Sequence, residues 1–508
     1  MYDFGGGYLV KFQGKILVIG CGSVAQCALP LILKLIGVPP ERVTIMDPVD
    51  NRPRVKEVLA QGVNYVRERV VRDNYQTLLK KYVSSGDLIL DLAYDIDCCA
   101  ILQWCHDNNI LYLNTSVELW EPYHGAEGKH PTELTLYARQ MAIRKMIAKW
   151  PNKKGATSIV DHGANPGLVS HFTKEALVDI TQKILKEKPR DPRKPELEKA
   201  LENEDFAKLA HLTGVKTIHI SERDTQITDK PKEVNEFVNT WSIIGFYEEG
   251  VAPAELGWGT HERYAPKGTM FHKDGPRNQV CLTSKGMSTW VRSWVPCGEI
   301  TGMVIRHGEA FSISDFLTVW EEGKAIYRPT VHYAYCPADV AINSMHELEM
   351  RQFELQERQR ILNDEITSGR DELGCLLMGH DFNSWWIGSL LDIEETRKLA
   401  PHQNATTLQV AISAVAAAMW AINNPNEGFC LPDQLPYQEI LKVAKPYLGP
   451  FVSKAVDWTP LKDRKNQFLD YGATIPKDED VWQFTTFLVT PLPIEPVPAN
   501  IDREAVLS

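Results

Sequence analysis

The chain has 508 residues, 44% of them hydrophobic, with 55 Lys and Arg against 66 Asp and Glu for a formal net charge of −11. That length leaves room for two or three domains with ample cores, and the acidic balance argues against a nucleic-acid binder, which needs a basic face. No stretch reads as membrane-spanning, and MYDFGGGYLVKFQGK lacks the basic-then-apolar pattern of a secretion signal, so a cytoplasmic protein with neither nucleic-acid nor membrane partners is expected.

Lys15 to Pro48 reads KILVIGCGSVAQCALPLILKLIGVPPERVTIMDP. The order is strand, glycine turn, helix, strand, acid. Gly20 permits a tight turn out of the strand, Gly22 lets a pyrophosphate approach the backbone, and Ala25 lets the helix pack closely on the strand. Ser23 and Val24 open the helix, whose free N–H groups and partial positive charge suit an anion. Asp47 follows at the spacing of an acid that accepts from a ribose 2′-OH, which favours NAD over NADP. Hydride transfer is the chemistry this unit points to.

Further strand-like runs lie at 63–66, 88–92 and 111–113, with helical segments between them, giving a doubly wound parallel sheet. Ligands bind at the carboxyl ends of such strands, so the loops after Leu92 and Leu113 should face the cofactor, the second carrying Thr115. Residues 133–149 read as an amphipathic helix, and 157–167 as a strand running into a glycine-rich turn with Ala164 and Asn165. The Lys/Glu/Pro-rich stretch 182–204 reads as a solvated excursion. From 215 to about 340 the period turns towards two, through VKTIHISERD, NQVCLTSK, TWVRSW, GMVIRHGEAFSISDFL and AIYRPTVHYAY, which suggests a largely antiparallel sheet. A charged helix over 342–365, two more at 393–399 and 403–422, and an extended Pro-rich tail after Thr490 complete the reading. The expected architecture is α/β: a Rossmann-type domain over 1–160, an α+β domain over 161–400, and a segment 401–508 that returns a helix to the first domain and ends in the tail.

Ten scattered cysteines form no CxxC pair, which argues for buried reduced thiols and against a metal site. Polar, acidic and aromatic residues crowd three later segments: Glu222 to Gln226, Asn239 to Ser242, and Pro253 to Thr260, with Glu248 and Glu249 nearby. Singly, each acid reads as a surface or capping residue and Trp241 as core. Together they suit a diamine, which needs carboxylates in place of its lost water and an aromatic face for its charge. His307 follows an apolar run and suits proton shuttling, or a hydrogen-bonded structural role.

Over nearly the whole chain, from Ile16 to about Leu488, the motifs GCGSVAQCALPLI, TSVELW, GANPG, HISERDTQ, FVNTWSIIGFYEEGVAPAELGWGTHER, YRPTVHYAY, DELGCLL and IEETRKLAPHQNAT resemble the bacterial-type homospermidine synthases. Three features depart from that family: Ala25-Gln26 stands where it has a third glycine followed by Arg, Asp161-His162 replaces a Cys-rich block, and 182–204 is longer. The resemblance implies a homodimer that uses and regenerates NAD. One putrescine is oxidised to an imine, ammonia is lost on exchange with a second putrescine, and the product is re-reduced to sym-homospermidine. Spermidine serves some relatives as donor, with diaminopropane released. The resemblance assigns Gly20, Gly22, Ser23, Val24, Asp47, Thr115, Ala164 and Asn165 to the cofactor. It places Trp241, Asn165, Glu222 and His307 at the chemistry, and Glu118, Glu249 and Glu309 on the ammonium groups. Which of Glu118, Glu222 or His307 takes the amine proton stays open. The alternative is a saccharopine- or carboxynorspermidine-type dehydrogenase with net NAD(P)H consumption.

Overall fold

The computed structural model describes residues 10–464, 479 and 481–498. β1 (Ile16–Ile19), α1 (Ser23–Leu35) and β2 (Val43–Met46) form the first crossover unit. Every residue of β1 is buried, as in a parallel strand covered on both faces. β3 (Asn64–Val66), β4 (Leu88–Asp91), β5 (Leu111–Asn114), α2 (Leu136–Ile147) and β6 (Ser158–Ile159) follow. The sheet order is β3-β2-β1-β4-β5-β6, with Phe429–Cys430 added outside β6. All pairings are parallel. The order reverses between β1 and β4, so their carboxyl ends form the binding crevice of a doubly wound sheet.

The second half contains α3 (Leu168–Glu187), β7 (Thr217–Asp224), α4 (Ile243–Val251), β8 (Pro253–Gly257), β9 (Gln279–Lys285), α5 (Gly308–Phe316), β10 (Thr330–Cys336), β11 (Arg370–His380), β12 (Asn383–Asp392), α6 (Ala405–Asn423) and β13 (Phe451–Val456). Its sheet runs Met270–Phe271, β9, β8, β10, β7, β11, β12, β13, and the hairpin 290–303 joins at β10. Within this sheet only the β10–β7 pairing is parallel among the described strands. α3 packs on β11 and β12, while α6 touches α1, β5 and β11 and so binds the two halves together. From residue 401 the chain serves both sheets, through α6 on α1, Phe429–Cys430 on the first and β13 on the second.

Three expectations need correction. The strand expected through GEAFSISDFL is the helix α5: its residues 308–314 are all buried, so polar–apolar alternation does not mark a solvent face there. Ser314 Oγ donates back to the Ala310 carbonyl at 2.7 Å and satisfies its hydroxyl inside the helix. The helix expected over 342–365 runs only from Asp339 to Met350, because Gln352 and Phe353 adopt left-handed backbone (φ 56° and 67°). Arg358–Ile361 then pairs in parallel with Glu236–Asn239. Finally, α6 is long and apolar enough to cross a membrane by length and composition, but 78% of its apolar window is buried inside the protein, where it serves as a core helix. The tail is extended at Ile494–Pro496, and 499–508 lie outside the described residues.

Candidate active site

A cavity of about 230 Å³ lies where the carboxyl ends of the first sheet face β7, β10 and α4. Of the residues expected at the site, Ser23, Val24, Thr115, Ala164 and Asn165 line it on the first-sheet side. Glu118, Glu222, Trp241, Glu249 and His307 line the remainder. Gly20, Gly22, Asp47 and Glu309 are not among its walls.

The glycine turn is built as the sequence suggests. Gly20 has φ +91°, and a Cβ there would lie 2.8 Å from the Leu92 carbonyl oxygen, so the backbone just past β4 demands glycine. A Cβ on Gly22 would meet nothing within 4 Å, leaving open space over the start of α1. That helix has no side-chain cap and no acid in its first turn, so its leading N–H groups are free for an anion. Asp47 braces the turn by accepting from the backbone N–H of Cys21 (2.6 Å) and of Val49 (2.7 Å). Each carboxylate oxygen keeps a second lone pair for a hydroxyl donor. Gln26, at the departure from the family pattern, donates to the Cys21 carbonyl at 2.8 Å and closes the same turn.

The opposite walls are acidic and aromatic. Glu222, on β7, accepts from the Tyr333 hydroxyl in a short hydrogen bond and from Asn165 Nδ2 at 3.3 Å; burial raises its pKa. Burial and the neighbouring Glu248 push Glu118 up to about 7, against the pull of Arg139, and its Oε2 has no hydrogen-bond partner. Asp161 is likewise pushed up to about 7 by burial, with Glu309 adding to the shift. His307 stands between two carboxylates, its Nε2 2.8 Å from Glu249 and its Nδ1 3.3 Å from Glu309. Burial opposes its charge, but the two carboxylates prevail and hold its pKa well above the usual histidine value. Half-buried Trp241 donates from Nε1 to the Tyr335 hydroxyl at 2.8 Å. Tyr335 stacks on Tyr333, whose ring lies 4.4 Å from that of His307. The segment before Trp241 is pinned by Asn404, which caps α6 and donates to the Thr240 carbonyl at 2.7 Å.

Sequence reasoning missed a buried ionic cluster in the cavity wall. Arg139 on α2 and Arg306 before α5 both donate to Glu248 Oε1, at 2.7 and 2.5 Å, and the Tyr123 hydroxyl adds a third donor at 2.9 Å. Burial raises the Glu248 carboxyl, but the guanidiniums outweigh it and bring it below the ordinary range. The available signal was Arg139 and Gln140 set inside the apolar stripe of α2, where surface residues do not belong. Tyr333 and Tyr335 were also overlooked; their spacing of two in a strand puts both on one face.

The fold and the cavity together define a two-domain dehydrogenase-type protein, and sequence profiles agree. Residues 16–159 match the saccharopine dehydrogenase NADP binding domain, and residues 163–456 match the saccharopine dehydrogenase C-terminal domain. The homospermidine synthase of Blastochloris viridis is 40% identical over 491 residues, covering 94% of this chain and 98% of its own. That of Mesorhizobium japonicum is 39% identical over 488 residues, with 94% and 97% covered. The crystal structure of the Legionella pneumophila homospermidine synthase in complex with NAD superposes with a TM-score of 0.82 at 35% identity, covering 94% of this chain and 98% of that one. The chain belongs to the homospermidine synthase family.

Proposed function

We propose that the chain is an NAD-dependent aminobutyl transferase that joins two putrescine molecules, or spermidine and putrescine, into sym-homospermidine with release of ammonia or diaminopropane. One observation carries the reading: Glu118, Glu222, Glu249 and the Trp241 ring wall a single cavity that reaches the start of α1 at Ser23 and Val24. The uncapped helix and the open space over Gly22 fit a pyrophosphate. The matching profile is named for NADP, but Asp47 repels a 2′-phosphate and favours the cofactor with which the Legionella relative was crystallised. NAD, when bound, accepts a hydride from the carbon beside the amine nitrogen and later returns one, so no net redox change results.

The chain's own residues do the rest. Glu222 and Glu249 take the place of water around the ammonium groups. The Trp241 ring face stabilises the cation that forms beside the reacting nitrogen. Asn165 donates to Glu222, which orients its amide and leaves its oxygen for the reacting amine. Glu118, with an unpartnered oxygen and a pKa near neutrality, takes the proton of the attacking amine. His307, charged between Glu249 and Glu309, returns a proton to the leaving nitrogen. A homodimer in the cytoplasm goes with this reading. The dimer rests on the resemblance, and ten free cysteines suit a reducing compartment.

The test is product mass after incubation with putrescine and catalytic NAD. Homospermidine should form with constant absorbance at the nicotinamide wavelength; stoichiometric reduction or consumption of the nucleotide would favour the dehydrogenase alternative.

A further inference from the structure

We propose that Glu248 is a specificity residue: its carboxylate occupies a two-arginine anion site in the cavity wall and so denies that site to carboxylated diamines. The inference rests on the diamine reading above and adds how the cavity tells its substrate from the related amino acid. Ornithine has the same nitrogen-to-nitrogen spacing as putrescine and differs by one carboxylate. Ammonium-binding acids alone cannot reject it.

Arg139 and Arg306 are deeply buried, with side chains 6% and 3% exposed, and both line the cavity. Each keeps a second fixed partner: Arg139 donates to the Val117 carbonyl at 2.8 Å, and Arg306 to that of Leu134 at 3.1 Å. Their Nε atoms are buried with no hydrogen-bond partner, so the pair retains unused donor capacity. Two preorganised guanidiniums and a tyrosine hydroxyl converge on Glu248 Oε1 as they would on a substrate carboxylate. Glu248 and Glu249 are consecutive on α4, so their side chains leave the helix in different directions. Glu248 faces the arginines, while Glu249 faces His307. An ornithine carboxylate entering the cavity therefore meets a filled anion site and the repulsion of Glu118, Glu248 and Glu249.

The test uses the full-length protein with NAD. E248A empties the anion site. Acetate should raise the melting temperature of E248A and leave that of the wild type unchanged, because a ligand that binds only the folded state stabilises it. With putrescine and ornithine together, E248A should join the oxidised carbon of putrescine to the ornithine side-chain nitrogen. Ammonia leaves and the hydride returns, giving a product heavier than homospermidine by one CO2. Its yield should exceed the wild-type yield by more than about tenfold, as expected when a like-charge juxtaposition is removed. Efficiency with putrescine alone should fall, because Arg139 loses its paired carboxylate and Arg306 keeps only Glu255, 3.8 Å away. A folded, NAD-binding E248A that gains neither acetate stabilisation nor the carboxylated product overturns the proposal. E248Q covers the case in which E248A does not fold: it keeps the side-chain volume, and unchanged discrimination between putrescine and ornithine in E248Q also overturns it. Wild-type protein that makes no homospermidine from putrescine would refute the diamine reading instead, and the acetate measurement does not depend on turnover.

Discussion

Replacing Trp241 with alanine removes two things at once. The first is the ring face offered to the cationic intermediate, worth about 2 kcal/mol at a desolvated site. The second is the Nε1 hydrogen bond to the Tyr335 hydroxyl, 2.8 Å long, worth about 1 kcal/mol net. The sum of about 3 kcal/mol corresponds to a loss of about 150-fold in turnover. Trp241→Phe keeps an aromatic face and gives up only the hydrogen bond and part of the cation attraction, so its loss should be about five- to tenfold. Steady-state kcat with putrescine reads the chemistry, and NAD affinity by fluorescence titration should stay unchanged in both variants. Equal losses in the alanine and phenylalanine variants would refute a cation–π role and leave Trp241 as a packing residue against Phe246 and Tyr335.

Asp47→Ala should weaken NAD about tenfold while leaving the putrescine KM unchanged, since it removes a charged acceptor and two braces of the glycine turn; unchanged NAD affinity contradicts the reading of the first βαβ unit. Glu118 must be ionised to accept a proton, so kcat/KM should rise with pH through about 7, and E118Q should lose that limb; an unaltered pH profile excludes Glu118 as the base. Burial raises Asp91 from its ordinary 3.8 to about 7, a cost of about 4 kcal/mol once it is ionised in the fold. The folded state binds the proton more tightly, so stability is given up as pH climbs from about 4 to about 7 and the loss is complete above that. D91N does not titrate, so its stability advantage over wild type, read from denaturant midpoints, should grow across that window and then level off; a pH-independent difference would show that Asp91 ionises freely.

The first domain was legible because its signals are local. Gly20, Gly22, Ala25 and Asp47 fall within one βαβ unit, and each answers a backbone or hydrogen-bonding demand that only a few residue types meet. The second sheet was legible where solvent enforced alternation, as in Trp290–Val295, and illegible where nothing did. α5 is buried all round, so its Ser–Ile–Ser pattern carried no face information. The false end of the 342–365 helix has a different origin: its charges continue at helical spacing past Met350, but two left-handed residues, neither of them glycine, stop it. Of the site, the acids and Trp241 could be suspected from crowding within short segments. Arg139, Arg306 and Glu248 meet across separations of 58 and 109 residues, and in sequence a buried arginine looks like a surface one.

The central claim is that one hydride leaves a diamine and returns to its coupled product. Putrescine carrying deuterium on both amine-bearing carbons, incubated with the enzyme and a trace of unlabelled NAD, tests this directly by product mass. Homospermidine retaining every deuterium, with no reduced nucleotide accumulating, is the predicted result. Product lacking one deuterium per molecule, or reduced nucleotide rising in step with putrescine loss, would contradict it.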